Sequence, residues 1–131
     1  MILSVTGAVA AQVYTSSILI VEDEPRIAAF IEKGLRRNGF NTAIASDGHS
    51  AVQQVLNQKY DLMLLDIGLP GKDGWAVLDE IQQQGKTIPT IVVSARNGNL
   101  LMEGFKRGVR DYVSKPFKFT DLLNSIQLHL T

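Results

Sequence analysis

The chain contains no cysteine. That excludes disulfides, thiolate nucleophiles and cysteine-built zinc sites. Histidine is almost as scarce: His49 and His129 are the only two, too few and too far apart for a histidine-built metal centre. Both are read as surface residues. There is no excess charge of either sign, because 13 basic residues balance 13 acidic ones. No global field therefore argues for nucleic acid or an anionic membrane as a partner. No apolar run approaches the length of a membrane span. The first basic residue is Arg26, so Ala8-Val9-Ala10 lacks the charged start of a secretory signal. Residues 1–16 are read instead as a flexible N-terminal extension, and residues 17–131 as one domain, long enough to bury a sizeable core.

The most informative stretch is Asp61-Leu62-Met63-Leu64-Leu65-Asp66, followed by a loop rich in Pro and Gly, Ile67 to Gly74. Four consecutive apolar residues suit a strand buried on both faces, as in a parallel sheet. Asp66 stands where that strand ends. Ligands of open α/β sheets bind outside the carboxyl ends of the strands. On this stretch alone, an Asp that merely starts a Pro-Gly turn explains the residue equally well.

The rest of the chain repeats the pattern. Ser17 to Val21 is a second apolar strand, ending in Glu22-Asp23-Glu24-Pro25. Ile27, Phe30, Ile31 and Leu35 recur at helical spacing up to Asn38-Gly39. Phe40 to Ala45 reads as a strand, and Asp47 as the cap of a helix that buries Ala51, Val52, Val55 and Leu56. After the Asp66 loop, Asp73 can cap a helix carrying Trp75, Leu78 and Ile81. Trp75 is read as packing on the sheet or at the loop edge. Ile88 to Val93 forms the next strand, ending in Ser94-Ala95-Arg96. A short helix with Leu101 and Phe105 leads to a last strand, Asp111 to Ser114, and then Lys115-Pro116-Phe117. Thr120 can cap a final helix with Leu122, Leu123, Ile126 and Leu130. Five strands alternate with five helices, which predicts a doubly wound, all-parallel, flavodoxin-like α/β sheet of order 2-1-3-4-5.

In that order, Glu22, Asp23, Asp66, Ser94 and Lys115 all reach one crevice. Crowded carboxylates repel one another, and a hard divalent cation resolves the repulsion. Mg²⁺ suits one or two carboxylates plus a phosphoryl oxygen. Asp23 and Asp66 are the expected direct ligands, Glu22 acts directly or through water, and the Gly68 main-chain carbonyl can add an oxygen. Asp66 is also a candidate nucleophile, since carboxylates form acyl phosphates. Phosphoryl transfer mainly requires its equatorial oxygens to be stabilised. The cation, the Ser94 hydroxyl and the Lys115 ammonium would cover three of them.

These motifs resemble the receiver domain of two-component response regulators. The resemblance rests on Ile18 to Pro25, Leu65 to Gly74, Val93-Ser94-Ala95-Arg96 and Asp111 to Phe117, and it covers about Ser17 to Leu130. It implies that Asp66 accepts phosphate from a phosphohistidine on a sensor histidine kinase or a histidine phosphotransfer protein. It implies Glu22 and Asp23 as the acidic pair holding Mg²⁺, Ser94 as a hydroxyl switch and Lys115 as the partner of the phosphoryl group. Tyr112 would be an aromatic switch, and the Lys115-Pro116 bond would be cis. A cytoplasmic signalling protein with a phosphorylation-dependent homodimer is implied, catalysing only its own phosphorylation and dephosphorylation, without nucleic-acid or membrane binding by this segment.

The chain departs from the family pattern in places. The Ser94-to-Lys115 spacing is one residue short, near Asn97-Gly98-Asn99, so the fourth helix is expected to start late. Arg110 precedes Asp111, and Asn124, Gln127 and His129 stand on the last helix, which weakens the charged dimer face of many DNA-binding relatives. Gly68 and Arg96 flank the place where water would attack. A rival reading is an unphosphorylated, receiver-like interaction module. A phosphatase is disfavoured because Gly68 stands where a second Asp would act, and flavin binding because Glu22 and Asp23 would repel the phosphate.

Overall fold

Each apolar run predicted as a strand is one, and the reason is visible in its alternation. In the computed structural model, which describes residues 15–95 and 100–130, the elements in chain order are β1 (Ser17–Val21), α1 (Pro25–Arg37), β2 (Asn41–Ala45), α2 (Gly48–Asn57) and β3 (Leu62–Leu65). There follow α3 (Gly74–Gln83), β4 (Thr90–Ser94), α4 (Leu100–Lys106), β5 (Asp111–Ser114) and α5 (Phe119–His129). The five strands form one parallel sheet of order β2-β1-β3-β4-β5. Most of the expected N-terminal extension, Arg96 and the Asn97 to Asn99 contraction lie outside the described residues.

Successive strand residues point to opposite faces. Leu19, Val21, Met63, Leu65 and Val92 therefore face one layer, packed with Val52 and Val55 of α2 and Val77, Leu78 and Ile81 of α3. Ile18, Ile20, Leu62, Leu64, Ile91 and Val93 face the other, against Ile31 and Leu35 of α1 and Leu122 and Ile126 of α5. A strand sandwiched this way has no solvent face, so it carries no polar alternation. Truncating any of these leucines to alanine should cost about 2–5 kcal/mol.

The starts of α2 and α3 are set by side-chain caps. Asp47 Oδ1 accepts from the Ser50 N–H at 2.7 Å, and Asp73 Oδ1 from the Ala76 N–H at 2.9 Å. Both match the sequence reading. The reading of Thr120 as a cap is corrected: α5 begins two residues earlier than that cap implies, at Phe119, with Lys118 in the capping position and no side-chain cap. Phe119 packs on the α1–α5 seam, edge-on to Phe30, and this packing outweighs the local capping signal. Phe30 departs as well. It keeps helical spacing but is 54% exposed, with Phe117 and Phe119 rings beside it. Phe105 on α4 is likewise exposed. α4 spans seven residues. Among the described residues, no helix is long and apolar enough to cross a membrane.

Candidate functional site

The sheet register brings the acids together. Val21 of β1 pairs with Leu65 of β3, so the residues that follow, Glu22 and Asp66, leave adjacent strands at the same level. The Asp66 N–H donates to the Val21 carbonyl at 3.0 Å, and the Glu22 N–H to the Ala45 carbonyl at 3.1 Å. These ladder bonds aim both carboxylates out of the sheet's carboxyl edge. Asp23 follows on the same turn. Glu22, Asp23 and Asp66 each present an oxygen within 4.8 Å of the others.

Lys115 arrives from the far side. Ser94 pairs with Ser114, and the Lys115 N–H donates to the Ser94 carbonyl at 3.0 Å. The Lys115-Pro116 peptide is cis. The lysine side chain crosses β4 and places Nζ 2.6 Å from Glu22 Oε1 and 3.3 Å from Asp66 Oδ2. Glu22 and Asp66 are only 3% and 8% exposed. Each has its second oxygen held by main chain: Glu22 Oε2 accepts from the Glu24 N–H at 3.1 Å, and Asp66 Oδ1 from the Gly68 N–H at 2.9 Å.

The electrostatics follow from burial and from this pairing. Burial pushes the Glu22 carboxyl above its ordinary value; hydrogen bonds from Lys115 and the Glu24 N–H oppose that rise without cancelling it. For Lys115, burial acts to lower the value, but the Glu22 and Asp66 carboxylates together outweigh it and hold the ammonium above the ordinary lysine range. Lys115 is therefore a fixed cation at neutral pH. Three carboxylates and one ammonium leave a formal charge of −3 + 1 = −2, the charge one divalent cation would balance. Oxygen donors at this spacing fit a hard cation with metal–oxygen distances of about 2.0–2.1 Å. The donor set contains no nitrogen or sulfur that would favour a softer metal.

Ser94 is buried at the end of β4, 1% exposed. The Tyr112 hydroxyl, from β5, donates to the Ser94 main-chain carbonyl at 3.1 Å. Gly68 is exposed on the loop beside Asp66. Glu22, Asp23, Asp66 and Lys115 thus converge, with Ser94, Tyr112 and Gly68 on the surrounding strand ends and loop. Two features outside the acidic cluster escaped the sequence reading. Arg107, just after α4, donates through Nε to Asp79 of α3 at 2.9 Å and lies 5.1 Å from the centre of the Trp75 ring. Gly74, noted only as part of a motif, abuts the main chain of Asp66. Neither has a local sequence signal, since each depends on which elements become neighbours.

A five-stranded parallel sheet with an acidic pocket and an inward lysine defines a receiver-type α/β domain. The chain matches the response regulator receiver domain over residues 18–127, and it belongs to that family. It is 39% identical over 111 residues to the transcriptional activator protein IrlR of Burkholderia pseudomallei, covering 84% of this chain and 48% of that protein. The chain thus spans about half the length of the curated relatives it matches. Among solved structures, the Francisella response regulator 1452 receiver domain superposes with a TM-score of 0.82 at 30% identity, covering 88% of this chain and 97% of that one. The receiver domain of the sensor histidine kinase PA1611 from Pseudomonas aeruginosa, which has a magnesium ion coordinated in its active-site cleft, gives 0.79 at 33% identity, covering 89% and 98%. Receiver domains of this family are signalling domains of two-component systems rather than enzymes acting on external substrates.

Proposed function

We propose that this receiver domain accepts a phosphoryl group on Asp66, delivered from a phosphohistidine on a sensor histidine kinase or a histidine phosphotransfer protein. The observation that carries the reading is the joint approach of Lys115 to Asp66 and Glu22 beside a third carboxylate. An Asp66 carboxylate oxygen attacks phosphorus while the phosphorus–nitrogen bond of the donor breaks. The imidazole leaves with the bond's electron pair and takes a proton from solvent. The product is an acyl phosphate on Asp66.

Glu22, Asp23, Asp66 and the Gly68 main-chain carbonyl would hold Mg²⁺, and the ion held by the PA1611 domain supports that assignment by analogy. When bound, the cation neutralises charge on the transferring group. Lys115, kept cationic by its two carboxylates, pairs with a phosphoryl oxygen, and the Ser94 hydroxyl donates to another. The new charge at Asp66 draws Ser94 toward it. Tyr112 is tied to the Ser94 carbonyl and so feels that movement. The response is a shift between two populated conformations, read by a partner or by a second copy in a phosphorylation-dependent homodimer. This segment itself binds no nucleic acid directly. The setting is cytoplasmic.

The test is incubation with acetyl phosphate or phosphoramidate and Mg²⁺, followed by intact mass. The wild type should gain one phosphoryl group and Asp66→Asn none. A wild type that stays unlabelled would contradict the reading and favour an unphosphorylated interaction module. Mg²⁺ titration separates the two further, since a pure scaffold has no need of the ion.

A further inference from the structure

The loop that carries Asp66 closes onto α3 at Gly74, the first residue of that helix. Gly74 is not among the glycines with positive φ, so its backbone conformation does not demand glycine. The demand is for space. A Cβ at Gly74 would sit 2.8 Å from the Asp66 carbonyl oxygen, 2.8 Å from Ile67 Cα and 2.7 Å from Ile67 Cδ1. Unstrained contacts between non-bonded heavy atoms lie near about 3.5–4.0 Å. Two of the three neighbours are main chain and cannot swing aside. Ile67 is fully buried, and α3 is anchored in the core by Val77, Leu78 and Ile81. The Gly74 N–H also donates to the Ile67 carbonyl at 3.0 Å. The far end of the same loop is seated in the same manner: a Cβ on Gly48, at the start of α2, would lie 2.6 Å from the Lys72 carbonyl oxygen.

We infer that Gly74 is a positioning residue for Asp66. Its missing side chain lets α3 abut the Asp66–Ile67 main chain, and this contact sets where the Asp66 carboxylate stands relative to Lys115. The inference rests on the phosphoacceptor reading of Asp66. The carboxylate cannot stay behind if its main chain moves, because Oδ1 is bonded to the Gly68 N–H of the same loop. The Lys115 contact at 3.3 Å is already long, so a further shift of Asp66 away from Nζ would break it.

The experiment compares the wild type with Gly74→Ala, Gly74→Ala/Ile67→Val and Gly34→Ala. Valine at 67 lacks the Cδ1 that the new methyl meets but leaves the Asp66 carbonyl in its path. Gly34→Ala crowds only the Phe119 ring, in the α1–α5 layer, and touches neither Asp66 nor its loop. The readout is the rate of phosphoryl uptake from phosphoramidate at saturating Mg²⁺, normalised to the folded fraction by near-ultraviolet circular dichroism. Displacing a reacting atom by a fraction of an ångström should slow Gly74→Ala about tenfold or more, with Gly34→Ala within about two-fold of wild type. The double variant relieves only the Cδ1 contact and keeps both main-chain contacts, so its folded fraction should stay as slow as Gly74→Ala, which a purely structural role for Gly74 would not produce. A folded Gly74→Ala that reacts at the wild-type rate overturns the inference, as does a double variant whose rate is fully restored. If Gly74→Ala alone fails to fold, the double variant decides. A wild type that takes up no phosphoryl group overturns the Asp66 reading itself, whereas a reactive wild type beside an unimpaired Gly74→Ala overturns the positioning alone.

Discussion

Replacing Lys115 with methionine removes the ammonium and keeps an unbranched stem. It leaves Glu22, 3% exposed, beside Asp66 without its cation. The stranded carboxyl has two options at pH 7. It can stay ionised and lose a charge-assisted hydrogen bond worth about 1.5–3 kcal/mol. Or it can take up a proton, which for an ordinary value of 4.5 costs about 3.4 kcal/mol, at 1.36 kcal/mol for each of the 2.5 pH units to neutrality. Protonation thus caps the loss, and the expected destabilisation at pH 7 is about 1.5–3 kcal/mol. The pH dependence has a definite sign. Removing Lys115 removes an influence that lowers the Glu22 value, so the folded value rises further above 4.5. A carboxyl raised on folding contributes stability that is present below its unfolded value and lost as pH rises through its folded value. The deficit of Lys115→Met is therefore largest near neutrality and shrinks toward pH 4.5. The wild-type lysine is held above its ordinary value of 10.5 and does not titrate in this range. Urea unfolding of both proteins at pH 5 and pH 7, with divalent cations chelated, measures the effect. With a urea slope of about 1–3 kcal/mol/M, the midpoints at pH 7 should differ by about 1 M. A deficit equal at both pH values, or none at pH 7, would refute the account of Lys115 as the counter-ion of Glu22.

Three further outcomes follow from the same geometry. Mg²⁺ affinity, measured by calorimetry, should begin to fall above the ordinary carboxylate range as pH is lowered, because burial raises the Glu22 carboxyl; affinity constant down to pH 4.5 would count against Glu22 as a participant. Arg107→Ala should shift the emission of Trp75, the protein's one tryptophan, and cost about 0.5–1 kcal/mol, since the Asp79 pair is partly solvated and the ring contact modest; unchanged fluorescence would mean that the Arg107–Trp75 contact does not persist in solution. Asp47→Ala should lower stability by about 1 kcal/mol through loss of the α2 cap, while leaving Mg²⁺ affinity unchanged; a large loss of affinity would show that Asp47 belongs to the acidic site.

Much of the fold was legible because parallel strands buried on both faces leave an unmistakable trace. Ile18 to Val21 and Leu62 to Leu65 are unbroken apolar runs, and each ends in the carboxylate that matters. The topology then required no further information to bring Glu22, Asp23, Asp66 and Lys115 to one edge. Where the reading failed, packing between distant elements had overridden a local signal. Phe30 has the spacing of a core residue, yet the α1 face that meets the sheet is carried by Ala28, Ile31 and Leu35. Thr120 is a good cap by chemistry, but Phe119 is drawn into the helix by the aromatic seam. The close seating of Gly74 and Gly48 was invisible for the same reason. A glycine kept for space looks, in sequence, like a glycine kept for a turn such as Gly71, whose φ is 73°.

The most direct measurement concerns the chemistry of Asp66 itself. Protein labelled by phosphoramidate with Mg²⁺ is reduced with borohydride, which converts an aspartyl phosphate to homoserine, and the peptides are mapped by mass spectrometry. The account predicts homoserine at position 66 and at no other carboxylate. Unmodified Asp66 in labelled protein, or homoserine at another position, would contradict it.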